Sequence, residues 1–321
     1  LYRLKLTRQD ERKTVLAGDT QAFKKLHQQH AAKIGTPIGG GVLIIAMVTV
    51  LYILLFPLLR RLGVYITTGF PIKDELNIIF FTFISFGVLG LYDDIMKIFG
   101  FSKTGFFGLR LRHKLLIQTG LAFVVSLMLF QNLNISILNV PFIGVLHLGW
   151  LYIPLTTLII VAFTNAFDIS DGLDGLSCGV LLICLLAFWA ISFTTLDTVL
   201  STFIALWCGS LIAFLYFNVY PARVWLGNAG GLAFGATLAV VGLLLGKIVA
   251  LVVIGGLFVV EVASSFLQIA WFKLSGGKRL FRIAPFHHLL QVAGWPEPKI
   301  VMRAWLAAII LAIFGLWLAQ L

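Results

Sequence analysis

Two groups of aspartates are the residues in this chain best suited to chemistry. One is the pair Asp93 and Asp94 in the stretch GLYDDIMK, and the other is Asp168, Asp171 and Asp174 in DISDGLDG. The second group recurs at every third residue, which predicts that its carboxylates lie on roughly one face of a helical turn. Adjacent carboxylates repel each other, so both groups need a cation or a basic partner to offset their charge.

A divalent cation is the first ligand that this pattern indicates. Carboxylate oxygens suit Mg²⁺, which binds through one or two carboxylates and keeps water and substrate phosphates as its other ligands. Five of the 13 acidic residues of the chain would then serve a phosphate-bearing substrate. The alternative for any single aspartate is structural, because an aspartate also caps the helix that follows it.

Basic residues that suit a phosphate lie near these motifs. Lys and Arg close to a membrane surface also anchor lipid headgroups, and the sequence leaves both roles open. The glycine run Gly39–Gly41 also has two interpretations: a flexible entry to a helix, or backbone amides that cradle an oxyanion. The basic residues are Lys33, Lys97, Lys103, Arg110, Arg112 and Lys114.

Two adjacent histidines, His287 and His288, follow Pro285 in the last polar stretch. Histidine hydrogen-bonds a sugar, a base or a phosphate and carries a proton near neutral pH. The alternative is ordinary polar surface. No cysteine or third histidine is adjacent, so we do not expect the pair to bind a metal.

The elements that position these residues are predicted to be membrane-spanning helices. Hydrophobic residues make up 60% of the 321 and charged residues 12%, and the mean hydropathy is +1.01. These values predict an all-α polytopic membrane protein with one helical-bundle domain over 1–321. The alternating stretch 132–147 predicts a short β-hairpin that turns at Pro141. Nine apolar windows are long enough to cross a bilayer: 42–59, 76–92, 115–131, 148–167, 175–195, 199–217, 231–246, 248–272 and 302–320.

The basic residues predict the orientation of the bundle, because Lys and Arg accumulate in short cytoplasmic loops. If the basic segment 1–41 is cytoplasmic, only Arg60, Arg61, Lys73 and Lys247 of the 24 Lys and Arg lie on the outer side, which leaves 20 inside. Both aspartate motifs and the histidine pair then face the cytoplasm. No nucleic-acid-binding module is recognisable, and the net charge of +11 indicates anionic lipid headgroups instead.

Several motifs together resemble one family, the phospho-N-acetylmuramoyl-pentapeptide translocases of bacterial cell-wall synthesis. The resemblance runs through KIGTPIGGG, GLYDDIMK, NAFDISDGLDGLS, FNVYPARVWLGN, FVVE, FKLSGGKRLFRIAPFHH and GWPEPKIVMRAW, in this order. It implies a Mg²⁺-dependent transfer of phospho-MurNAc-pentapeptide from its UDP carrier to undecaprenyl phosphate, which releases UMP and forms lipid I. It further implies a homodimer in the bacterial inner membrane, and ten transmembrane helices, the first of them upstream of Leu1.

The resemblance also implies roles for individual residues. Asp93 and Asp94 match an aspartate pair that engages or deprotonates the lipid phosphate, and with His287 they are the expected catalytic residues. Asp171 and Asp174 match aspartates that are associated with nucleotide and metal binding. The expected magnesium ligands are Asp93, Asp94, Asp171 and Asn228. The expected substrate-binding residues are Lys33, Thr36, Lys97, Lys114, Asn165, Asp168, Asp171, Asp174, Asn218 and His288.

The chain departs from the family pattern at several positions. Asn228 replaces an aspartate that binds Mg²⁺ in the family, and an amide offers an oxygen without the charge. Gly231 replaces a serine, Leu289 a third histidine and Gln291 an acidic residue, whereas Asp168 replaces an asparagine. We hypothesise that Asp168 restores the lost negative charge if the two segments meet.

Three alternatives remain open from the sequence. A related polyprenyl-phosphate N-acetylhexosamine-1-phosphate transferase shares the aspartate motifs, although APFHH and GWPEPK favour the muramoyl-pentapeptide enzyme. A homologue that binds a nucleotide-sugar or an inhibitor without turnover is suggested by Asn228 and Gly231. A transporter is suggested by intramembrane acids, but only Glu261 lies in the middle of a predicted span.

Overall fold

The computed structural model describes Thr7, Lys33, 35–99 and 109–321. Most of the predicted basic segment 1–41 lies outside the described residues, as does Lys103. The described part is mainly helical, with one small antiparallel sheet. The elements are α1 (Gly40–Arg61), α2 (Ile72–Phe99), α3 (Leu111–Gln131), β1 (Ile137–Val140), β2 (Gly144–His147), α4 (Tyr152–Ser170), α5 (Leu176–Thr194), α6 (Thr198–Asn218), α7 (Asn228–Leu244), α8 (Ile248–Ile254), α9 (Gly256–Leu274), α10 (Phe286–Val292) and α11 (Glu297–Gln320).

Eight helices in the described part of the chain are long and apolar enough to cross a membrane, which makes this a multi-pass membrane protein. The described residues therefore contain eight such helices, whereas the sequence predicts nine spans. The window 231–246 forms α7, which has only 17 residues. The window 248–272 is divided at Gly255 into α8 and α9. A Cβ on Gly255 would lie 2.6 Å from the Phe163 ring of α4, so the chain bends where two helices come into close contact.

Helix α7 is the centre of the bundle. Every residue from Ala229 to Leu244 is buried, and α2 and α4 pack along it. Glycines allow these helices to approach at backbone distance, since a Cβ on Gly235 would lie 2.4 Å from the Phe163 carbonyl oxygen. In a membrane the hydrophobic effect does not drive helices together, because lipid already surrounds their apolar side chains. Close packing of backbones therefore stabilises helix pairs there. A short helix fits here because protein surrounds it.

The amino-terminal end of α7 is fixed by two more glycines. A Cβ on Gly41 of α1 would lie 2.2 Å from the Gly230 nitrogen, and one on Gly90 of α2 would lie 2.1 Å from the Asn228 carbonyl oxygen. The glycine run 39–41 does not cradle an anion in this structure. Its amides donate to backbone carbonyls, those of Gly39 and Gly40 to Trp225 and that of Gly41 to Leu226. The run therefore ties the α6–α7 loop to the start of α1.

The predicted hairpin is confirmed. Strands β1 and β2 pair antiparallel, with Ile137 opposite His147 and Val140 opposite Gly144. Pro141 lies in the turn between them.

The close contacts of α7 predict how it tolerates a larger residue. Gly235→Ala should destabilise the protein by about 1–3 kcal/mol, because the added methyl group overlaps backbone atoms of α4 that cannot rotate away. The measurement is the thermal unfolding midpoint in detergent. Gly120→Ala on α3 is the matched control, because nothing lies within 4 Å of its Cβ position and alanine favours a helix. Equal midpoints for the two variants would contradict this view of α7.

Candidate active site

Asp93 is buried near the carboxyl end of α2, and cations surround it. Its Oδ2 lies 3.3 Å from Lys97 Nζ and 3.5 Å from Lys114 Nζ. Oδ1 accepts a hydrogen bond of 2.7 Å from the Leu109 amide, and the side-chain amide of Asn228 donates to Oδ2. The predicted residues Asp93, Lys97, Lys114 and Asn228 thus do come together, and here basic side chains offset the buried carboxylate.

Asp94 has a different set of partners. Its Oδ1 accepts from the Asn228 amide at 3.0 Å and its Oδ2 from the Ala229 amide at 3.1 Å. The first amides of a helix have no partner within the helix, and Gly227 at the cap position has no side chain to supply one. Asp94 therefore caps α7 from a neighbouring helix. The sequence had raised capping only for the following span, so this role was missed.

Lys114 connects Asp93 to the second aspartate motif. Its Nζ donates to Asp168 Oδ2 at 2.7 Å, so one ammonium group lies between two carboxylates from α2 and α4. A Cβ on Gly231 would lie 2.9 Å from Asp168 Oδ1, which places Asp168 over the first turn of α7. The segments that carry Asp168 and Asn228 therefore meet, as the hypothesis of restored charge requires. We call Asp93, Lys97, Lys114, Asp168 and Asn228 the Asp93 cluster.

The three aspartates of DISDGLDG do not share a face, contrary to the prediction. Helix α4 ends at Ser170, and Asp171 already has non-helical backbone angles. Asp171 Oδ1 accepts from Ser177 Oγ at 2.5 Å, whereas Asp174 Oδ1 binds Lys33 Nζ at 2.8 Å. The cause is the turn that follows α4, which closes at Gly175 with a φ of +77°.

Asp174 belongs to a second group around Lys33. Lys33 Nζ also lies 2.6 Å from Glu297 Oε1, and the Asp174 amide donates to the same oxygen at 2.6 Å. Asp174 Oδ2 accepts from the Ala222 amide at 3.0 Å, and Asn218 Oδ1 accepts from the Gly175 amide at 3.1 Å. We call Lys33, Asp174, Asn218 and Glu297 the Asp174 cluster. The sequence pattern does not predict Glu297 as a member, although it lies in GWPEPK and is the first residue of α11.

The histidines lie at the start of helix α10. His287 is buried, with 1% of its surface exposed, and its Nδ1 lies 3.0 Å from Glu261 Oε2. His288 is half-buried, and its Nδ1 lies 2.8 Å from Gln291 Oε1. The carboxylate of Glu261, which lies in the middle of a predicted span, is therefore the partner of His287.

Two further predicted substrate-binding residues have backbone or interhelical partners. The Thr36 amide donates to the Lys33 carbonyl oxygen at 3.4 Å, and Thr36 is half-buried. Asn165 Nδ2 donates to Gln118 Oε1 at 2.9 Å and to the Val161 carbonyl oxygen at 2.8 Å. Asn165 therefore joins α4 to α3. It is close in sequence to Asp168 of the Asp93 cluster, but its hydrogen-bond partners are other residues.

Asp93, Asp94 and Asp171, three of the expected magnesium ligands, do not form one site in this arrangement. Among the residues that the structure describes, no three Asp, Glu, His or Cys side chains come close enough together to hold a metal ion. The Asp93 cluster nevertheless gathers two carboxylates and one amide. One or two carboxylates completed by substrate phosphates are enough for Mg²⁺, so these residues fit the ion. Asp94 and Asp171 are directed to other partners.

The Asp93 cluster forms a charged site where four helices end. Asp93 and Asp168 lie near the carboxyl ends of α2 and α4, while Lys114 and Asn228 lie near the amino ends of α3 and α7. Antiparallel helices bring such positions to the same end of a bundle. Alternating ammonium and carboxylate groups at this end are suited to binding phosphates and to moving a proton.

Comparison with known proteins agrees with this chemistry. The model of glycosyl transferase family 4 matches residues 76–246. A phospho-N-acetylmuramoyl-pentapeptide-transferase of Rickettsia rickettsii is 35% identical over 309 residues, which covers 90% of this chain and 81% of that protein. One of Acetivibrio thermocellus is 35% identical over 296 residues, with 91% and 84% covered. The chain therefore belongs to glycosyl transferase family 4 and, within it, to the phospho-N-acetylmuramoyl-pentapeptide-transferases.

Proposed function

We propose that this protein transfers phospho-MurNAc-pentapeptide from UDP-MurNAc-pentapeptide to undecaprenyl phosphate, forming lipid I and releasing UMP. The observation that carries the proposal is the 35% identity, over 90% of this chain, to a phospho-N-acetylmuramoyl-pentapeptide-transferase of Rickettsia rickettsii. The protein would act in the bacterial inner membrane with the two charged clusters on the cytoplasmic side, as the distribution of Lys and Arg along the sequence predicts. The homodimer that the resemblance implies remains a prediction.

The reaction brings two anions together, which explains the need for the lysines. An oxygen of the lipid phosphate bonds to the phosphorus attached to the sugar, and the bond from that phosphorus to the UMP oxygen breaks. UMP leaves with the electron pair. Lys97 suits the incoming phosphate best, because 34% of its side chain is exposed whereas that of Lys114 is 10% exposed. Cationic groups next to the transferred phosphoryl group stabilise its developing charge.

Within the aspartate pair, we assign the chemical role to Asp93 and the positioning role to Asp94. Asp93 lies beside Lys97 and Lys114, so it would accept the proton of a singly protonated lipid phosphate next to the groups that bind that phosphate. Asp94 has both oxygens on α7 amides and holds Asn228 in place. Asp93 and Asp168 would hold Mg²⁺, with Asn228 as a neutral donor. When bound, the ion would neutralise phosphate charge and polarise the reacting phosphorus.

The first prediction from the proposed function concerns which UDP-sugar the protein uses. In detergent with undecaprenyl phosphate and Mg²⁺, the protein should release UMP from UDP-MurNAc-pentapeptide. Release of UMP from UDP-GlcNAc should be at least about 100-fold slower, because this smaller substrate leaves the groups that bind the peptide stem unpaired. Faster turnover of UDP-GlcNAc would identify the related hexosamine-phosphate transferase instead. Tight binding of UDP-MurNAc-pentapeptide without UMP release would identify a homologue that only binds.

The second prediction separates the two adjacent aspartates. Asp93→Asn should lower kcat by about 100-fold or more, because the proton acceptor is lost. It should also lower the unfolding midpoint, because Lys97 and Lys114 lose a buried counterion. Asp94→Asn should lower the midpoint, at a cost of about 1–3 kcal/mol, because an amide nitrogen replaces one acceptor at the α7 amides, and it should lower kcat less than Asp93→Asn does. Measuring both quantities for both variants is the test. A larger loss of kcat in Asp94→Asn than in Asp93→Asn would contradict the assignment.

The third prediction concerns the exchange of charge between positions 168 and 228. Asp168→Asn should raise the Mg²⁺ concentration for half-maximal UMP release by about tenfold or more, because it removes one of two carboxylates from the cluster. The double variant Asp168→Asn with Asn228→Asp returns a carboxylate to the first turn of α7 and should recover most of this loss. An unchanged magnesium requirement in Asp168→Asn would refute the compensating role of Asp168.

A further inference from the structure

Glu261 is a carboxylate that the proposed reaction does not use. It lies in α9, one of the helices long enough to span the membrane, and 7% of its surface is exposed. A carboxylate inside a membrane protein is costly unless it is well paired, and such residues usually have a function. The contacts of Glu261 therefore point to what it does.

Both oxygens of Glu261 are directed to one residue, His287. The His287 backbone amide donates to Oε1 at 3.2 Å, and the ring atom Nδ1 lies 3.0 Å from Oε2. An ionised carboxylate only accepts hydrogen bonds, so the hydrogen of the second contact belongs to Nδ1. The two bonds hold the position and the rotation of the imidazole ring at once. A carboxylate that orients a histidine in this way is a common device in enzyme sites.

The opposite edge of the ring is pressed against the Asp171–Gly175 turn. His287 Nε2 is buried and has no hydrogen-bond partner in the described part of the chain. A Cβ on Gly172 would lie 2.5 Å from this nitrogen, closer than atoms of two residues approach without displacement. Position 172 therefore accepts only glycine while the ring stays where Glu261 holds it.

We propose that Glu261 is a positioning residue that fixes the Asp171–Gly175 turn through the His287 ring. Glu297 and Asn218 also hold the turn, through the amides of Asp174 and Gly175. The ring supports it at Gly172. Because this turn carries the aspartates that the family resemblance associates with the nucleotide, Glu261 would set the affinity for UDP-MurNAc-pentapeptide. This inference rests on the proposed function.

The kinetic test compares Glu261→Gln with Ser264→Ala. Glu261→Gln should raise the KM for UDP-MurNAc-pentapeptide about tenfold and change the KM for undecaprenyl phosphate little, because it loosens one binding element. Gly172→Ala should have the same effect from the other side of the contact. Ser264→Ala is the matched control, because it removes a buried hydrogen bond from Ser264 Oγ to the Glu261 carbonyl oxygen at 2.8 Å and leaves the His287 contacts intact.

A second measurement does not need turnover. Hydrogen–deuterium exchange of peptides that contain 171–175 should be faster in Glu261→Gln than in the parent and in Ser264→Ala, because the amides of Asp174 and Gly175 lose protection when the turn loosens. Unchanged exchange and unchanged KM in Glu261→Gln would overturn the inference, and so would equal changes in Ser264→Ala. A parent that shows no UMP release would overturn the proposed function, whereas the exchange data would still decide the role of Glu261.

Discussion

The arrangement of the site depends on one ammonium group held between two carboxylates. Lys114 Nζ binds Asp168 at 2.7 Å and lies 3.5 Å from Asp93, so α2, α3 and α4 converge on a single charge. Removing one partner from a buried ion pair costs far more than the pair contributes, because the remaining charge keeps its desolvation penalty. The three helices are thus constrained to meet at this end of the bundle. Lys97 adds the positive charge that remains for an incoming phosphate.

The amino-terminal end of α7 is the second constraint, and it explains how the chain accommodates Asn228. The glycines at 41, 90 and 230 bring the first turn of α7 against α1 and α2, and Asp94 caps its amides from α2. Asn228 then donates its side-chain amide to Asp93. A carboxylate at 228 would face Asp93 without that hydrogen bond, whereas the carboxylate at 168 faces Lys114. The negative charge thus lies where a fixed cation offsets it.

The sequence was sufficient for the class of fold and for naming the side chains that come together in the Asp93 cluster. Hydropathy identified the spanning helices, and the side chains predicted to act together at Asp93, Lys97 and Lys114 do meet. The break at Gly255, the cap that Asp94 supplies and the partners of Glu261 and Glu297 were not predictable in the same way. Each depends on a contact between helices far apart in the chain, whereas periodicity reports only which residues are apolar. The three aspartates at 168–174 diverge because α4 ends at Ser170, and helix ends are what a local pattern indicates least well.

A double-mutant cycle between Lys114 and Asp168 tests the central interaction most directly. The measured quantity is the rate of UMP release by the parent, Lys114→Met, Asp168→Asn and the double variant. If the ammonium and the carboxylate act as one unit, the double variant should lose little more than the worse single variant, because the first change already leaves the second residue without its partner. Losses that multiply, or a parent that releases no UMP, would contradict the account.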